Sequence, residues 1–92
     1  MTFFLIVKVS LIQPFDHWVK LFDADREPRE ASGTHVVFRH PVIGEQAAVF
    51  GVRTQSPRLV HDMMYHPEVR AMIEASGLVV GSEQIIVCEA VD

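Results

Sequence analysis

A chain of 92 residues with eight basic and twelve acidic side chains, net charge −4, has room for one hydrophobic core and not for two. Apolar residues make up 49% and charged residues 22%, the balance of a globular domain rather than a disordered segment. The acidic balance disfavours nucleic-acid binding driven by phosphate charge. A single cysteine, Cys88, rules out an internal disulfide framework and a multi-thiolate zinc site.

Residues 2–10 are dense in β-branched and aromatic side chains and predict a strand. The same stretch resembles a secretory signal only superficially: it lacks a basic start and a small-x-small cleavage site, and Lys8 interrupts its apolar run. No segment approaches the ~20 apolar residues that span a bilayer. The expectation is one cytoplasmic domain over residues 1–92, with neither membrane nor nucleic acid as a partner.

After Pro14 the period changes. Phe15, Trp18, Val19 and Phe22 fall at i, i+3, i+4 and i+7, a helical stripe that Pro28 is expected to break or re-aim and Gly33 to close. His35–Arg39 and Gln46–Arg53 predict two strands, joined through the Pro- and Gly-containing loop 40–45. Ser56-Pro57 opens a second helix with Leu59, Val60, Met63 and Met64 along its apolar stripe; His66-Pro67 interrupts it, and Val69, Met72 and Ile73 continue the period to Gly77. Residues 84–90 predict the last strand. The order β-α-β-β-α-β is that of an α+β, ferredoxin-like domain: a four-stranded antiparallel sheet with its helices on one face.

A two-layer domain of this kind leaves one sheet face in water, and its strands then alternate apolar with polar residues. These strands are apolar on both faces. Strict alternation predicts that Val36, Phe38, Phe50, Val52, Ile86 and the odd residues of the first strand face the helices. The opposite face then has an apolar centre of Phe4, Ile6, Val37, Val49, Ile85 and Val87, fringed by Lys8, His35, Arg39, Arg53 and Glu89. An apolar sheet face without helices predicts a homodimer or higher oligomer, with on the order of 2,000 Å² or more buried if the pair is obligate.

The apolar first strand, the segment Phe15-Asp16-His17-Trp18-Val19-Lys20-Leu21-Phe22-Asp23 and the Arg-containing turn ending at Gly33 resemble a group of small bacterial proteins about this long. The element order is similar to that of the dimeric α+β barrel superfamily. That resemblance implies two ferredoxin-like sheets facing each other with the helices outside. Members include cofactor-free antibiotic-biosynthesis monooxygenases, muconolactone isomerases and haem-degrading or haem-binding proteins. The sequence contains no Asn, so the Asn-Trp-His arrangement of the haem-degrading members is absent.

Five histidines raise the question of a metal, but their spacings argue against one: His35 and His40 lie five apart on one strand, as do His61 and His66 on a helix broken at Pro67, and no His-x-His or His-Glu-x-x-His occurs. No metal site and no cofactor are expected. A ligand pocket, if formed, would gather Trp18, Phe38, His40 and Tyr65, with His40 as the candidate acid/base because imidazole titrates near neutrality. Lys8, Arg39 and Arg53 would either converge on an anion or pair with Glu89 at a dimer rim. The mixed-charge run Asp23–Glu30 reads as a solvated helix face. Three functions fit these features: a homodimeric barrel protein that binds a small apolar or aromatic molecule, a cofactor-free monooxygenase or isomerase, and a non-enzymatic interaction module.

Overall fold

The computed structural model describes residues 2–65, 67–79 and 81–91, with the side chains of residues 59, 63–65, 68, 69, 72 and 73 outside that description. The chain forms β1 (Phe3–Ser10), α1 (Phe15–Ala24), α2 (Arg26–Ala31), β2 (His35–Pro41), β3 (Ala47–Thr54), α3 (Pro57–Tyr65), α4 (Pro67–Ala75) and β4 (Gln84–Glu89). The strands make one sheet in the order β2-β3-β1-β4, every neighbouring pair antiparallel. Each expected helix arrives as two segments, so the architecture is the ferredoxin-like one.

Proline chemistry places both breaks. Pro28 does not end a helix where it stands; it is the third residue of α2, where a missing N–H leaves no intrahelical bond unmade. Its ring excludes a helical carbonyl four residues earlier, and α1 accordingly stops at Ala24, with the Asp25 amide turning back to the Phe22 carbonyl at 3.3 Å. Pro67 is the first residue of α4. Gly33, at φ +87°, follows α2 in the left-handed region that closes helices. None of the described helices is long and apolar enough to cross a membrane.

One face of the sheet carries the core. Leu5, Val7 and Val9 of β1 and Ala48, Phe50 and Val52 of β3 are buried together with Trp18 of α1, Val60 of α3, Leu11 and Leu78. Trp18 is 2% exposed and stacks on Phe15 at 5.7 Å and Phe22 at 4.6 Å, with Phe50 at 5.9 Å, so α1 is pinned to β3 by an aromatic cluster. α1 and α3 both pack on this side, called here the helix face.

The register corrects the expected face assignments at both edge strands. On β2, Val36 pairs with Val52 but Phe38 pairs with Gly51, so Val37 is an extra residue, a β-bulge. The bulge reverses parity beyond it. Phe38 and His40 therefore lie on the open face with Ile6, Gly51 and Val49, not on the helix face, while Arg39 turns to the helices. Val37 leaves the regular ladder and is 54% exposed. On β4, Ile85 and Val87 pair with Val7 and Leu5 and share the helix face, whereas Ile86 and Cys88 pair with Ile6 and Phe4 on the open face. The open face thus carries Phe4, Ile6, Phe38, Val49, Ile86 and Cys88.

Candidate functional site

The open face is organised around Gly51. A Cβ there would overlap the Phe38 ring, so the missing side chain is what lets Phe38 lie flat across β3. Phe38 in turn reaches Phe4 at 6.2 Å between ring centroids, and His40 stacks on Phe38 at 5.7 Å with an interplanar angle of 16°. The result is an aromatic patch with one imidazole on it, spanning three adjacent strands. Ile86, 59% exposed, extends it onto β4.

The residues expected to line one pocket do not come together. Trp18 is enclosed in the core on the helix face, on the far side of the sheet from Phe38 and His40. The Tyr65 side chain lies outside the described residues. Phe38 and His40 are adjacent as expected, but on the open face. Of the basic residues for which an anion site and a Glu89 rim were the alternatives, two have other partners: Lys8 bonds Glu45 at 2.8 Å, and Arg39 forms a two-pronged bond with Asp23, 2.6 Å at each oxygen, tying β2 to the end of α1. That bond holds the Asp23 carboxyl below the ordinary carboxylate range, with burial acting against it, and raises Arg39.

The run Asp23–Glu30 is more than a solvated face. Together with Thr34, Val36, Phe38 and Arg39 it walls a cleft of about 310 Å³ between α1, α2 and β2, to which Asp23, Arg26, Arg29 and Glu30 contribute. Arg29 is half-buried, its guanidinium carbon 4.0 Å from the Phe22 ring centre, and its Nη2 donates to the Phe22 carbonyl at 2.7 Å. Burial lowers its pKa from the usual arginine value, while Asp25, Asp23 and Glu30 act to raise it. Thr34 is 2% exposed and its hydroxyl has no hydrogen-bond partner among the described residues. Sequence reasoning missed this grouping because the arginines and Thr34 are joined only by the α2–β2 turn. The available signal was arithmetic: Arg26 and Glu30 are spaced to pair on one helix face, which leaves Arg29 over. A second cleft, about 320 Å³, is walled by Leu11, Phe15, Pro41, Glu45, Gln46 and Ala47.

No protein-family model matches the sequence. No curated protein matches it either. Solved structures do. A structural-genomics protein called YJCS superposes with a TM-score of 0.69 at 8% identity, over 98% of this chain and 99% of the other. A Caulobacter crescentus protein, provisionally described as an antibiotic biosynthesis monooxygenase, gives 0.66 at 14% identity over 99% and 91% of the two chains. A Bacteroides fragilis protein of unknown function, described as dimeric and of ferredoxin-like fold, gives 0.54 at 18% identity over 97% and 96%. At these identities the likeness is one of architecture, and with the strand order it establishes that the chain is an α+β domain of the ferredoxin-like fold.

Proposed function

We propose that the chain works as a homodimeric α+β barrel protein: two open faces pack against each other and hold a small apolar or aromatic molecule between them. The observation that carries this reading is the open face itself, where Phe4, Ile6, Phe38, Val49 and Ile86 form a continuous apolar area across all four strands without a described helix over it. Apolar area left in water costs roughly 25 cal/mol per Å², and a second identical sheet removes it from both copies at once. The rim favours the same partner. Lys8, on the open face, is already paired with Glu45 and so does not need a counterpart across the interface. The dimeric description of the Bacteroides fragilis structure agrees. The aromatic patch of Phe4, Phe38 and His40 is the place for a ligand, offering flat apolar surface and one polar group to orient the guest. A cytoplasmic location fits a chain whose one cysteine, Cys88, is unpaired.

Light scattering on the purified chain tests the assembly. A mass of twice 10.4 kDa at low micromolar concentration is expected, and a stable monomer overturns the reading. Titration with naphthalene, followed by the methyl resonances of Ile6 and Ile86, tests the ligand. Saturable shifts are expected, and their absence removes the ligand while leaving the dimer.

A second reading, a cofactor-free monooxygenase or isomerase, is favoured by the position of His40. It is an acid/base group placed on an aromatic surface, where it can take a proton from a bound phenol. Oxygen uptake with a hydroquinone as substrate, lost in His40→Ala while the dimer mass persists, would support this reading. No uptake in the unaltered protein sinks it for that substrate class.

A further inference from the structure

We propose that the cleft between α1, α2 and β2 is a binding site for a small carboxylic acid, with Arg29 as the group that takes the carboxylate. The argument begins with the charges in its wall. Asp23 is neutralised by Arg39 through two hydrogen bonds, and Glu30 by Arg26 at 3.0 Å. Subtracting those two pairs leaves one charge in the wall, the Arg29 cation. Asp25 acts on Arg29 through space, but among the described residues no carboxylate oxygen lies within 4.0 Å of its nitrogens.

A half-buried guanidinium that no described carboxylate contacts, Asp25, Asp23 and Glu30 acting on it only through space, is a poised anion site. Arg29 has five N–H groups, and Nη2 alone has an acceptor among the described residues, the Phe22 carbonyl. The Phe22 ring beneath the guanidinium and the bond to the Phe22 carbonyl hold it in place, so little side-chain freedom remains to be lost when an anion docks. Thr34 is the independent second observation. Its amide is fixed on the Arg29 carbonyl at 3.1 Å, and its buried hydroxyl in the same wall lacks a partner among the described residues, so turning it toward an incoming oxygen breaks no described bond.

The surplus of one positive charge selects a monoanion, and the planar fork of arginine matches the two oxygens of a carboxylate. Val36 in the wall gives an apolar body somewhere to rest. The volume, about 310 Å³, is at the small end of those that hold small molecules. Phe38 is the one wall residue this site shares with the aromatic patch; the groups that take the carboxylate, Arg29 and Thr34, lie outside that patch and outside the proposed dimer face.

The test is a titration of the full chain with benzoate and, separately, with benzamide, its neutral counterpart, followed by backbone amide resonances. Benzoate is expected to shift the amides of residues 22–34 saturably and benzamide to leave these unmoved, whereas shifts confined to Phe4, Phe38 and His40 report the aromatic patch instead. Arg29→Gln should weaken benzoate on the order of tenfold or more, and Arg29→Lys, which keeps the charge but loses the fork, should recover part of that loss. Thr34→Val should weaken it a few-fold. Equal binding of benzoate and benzamide, no saturable shift, or unchanged benzoate affinity in Arg29→Gln overturns the proposal. Should Arg29→Gln fail to fold, Arg29→Lys and the benzoate–benzamide contrast in the unaltered chain decide the matter. Ile6→Lys, which disrupts the proposed dimer face, should leave benzoate binding unchanged, so a failed dimer and a failed carboxylate site are distinguishable.

Discussion

The two faces of the sheet carry similar side chains and meet different fates. On the helix face, Val7 and Val9 are fully buried and Trp18 closes over Phe50. On the open face, one residue along in the same strands, Phe4, Ile6 and Val49 keep partial contact with solvent. The difference is supply: α1 and α3 provide the apolar lid for one face, and the chain provides no described element for the other. The hydrophobic free energy of the first face is thus realised within the chain, whereas no described element of the chain realises that of the second. The same contrast appears at the charges. Arg39, turned to the helix face, is locked to Asp23, while His40, next in sequence and turned to the open face, touches an aromatic ring.

The largest effect expected from breaking this asymmetry is at the covered face. Trp18→Ala removes the indole from between Phe15, Phe22 and Phe50 and should cost about 3–5 kcal/mol, read by denaturant unfolding. A loss below ~1 kcal/mol would mean that the aromatic cluster is not what fastens α1 to the sheet. On the other side, Ile6→Lys should weaken self-association on the order of a hundredfold while far-ultraviolet dichroism stays unchanged, because its neighbours belong to the open face. A mass in solution indifferent to Ile6→Lys would show that the open face is not the contact.

Gly51→Ala sharpens the comparison within a single strand. The new methyl collides with the Phe38 ring, which must leave Phe4 and His40, and the expected cost is about 1–3 kcal/mol. Combining it with Phe38→Leu should recover much of that loss, whereas additive costs in the double-mutant cycle would contradict the contact. The smallest effect is at the Arg39–Asp23 link, where both side chains are partly exposed and solvent screens the pair. Asp23 has a folded pKa below its ordinary 3.8, so its contribution is complete above that value and is lost as pH falls through the lower, folded value. Carboxyl-carbon titration should show Asp23 protonating below 3.8 in the unaltered chain and returning toward it in Arg39→Gln. A value that does not move would remove the link from the account.

Much of the architecture is legible in residue periodicity. The stripe of Phe15, Trp18, Val19 and Phe22 can bury one face only as a helix, and the apolar run of β1 is too short for anything but a strand. The start of α4 at Pro67 is legible for the same reason as Pro28's effect: proline lacks a donor and crowds the carbonyl four residues back. What was misplaced was where that effect falls, at Ala24–Asp25 rather than at Pro28. The candidate pocket was not legible. Trp18 and His40 were assigned to one space by carrying strict alternation through β2, and a single extra residue at Val37 defeats that. The clue was on the neighbouring strand, since a glycine inside an apolar strand marks a bulge or a close approach, and Gly51 marks both.

By itself, then, the sequence determined the element order, the proline breaks and the fact that the sheet is apolar front and back, because these depend on local conformational preference and on period. Only the tertiary structure decided which residues occupy which face. Ile85, Ile86 and Val87 form an unbroken apolar run with no parity of its own, and their orientation is settled by hydrogen-bond register against β1. Arg29 and Thr34 likewise gain their meaning from distant partners: whether a charge is cancelled or left over depends on which carboxylates the fold brings within reach, and that is a property of packing rather than of spacing along the chain.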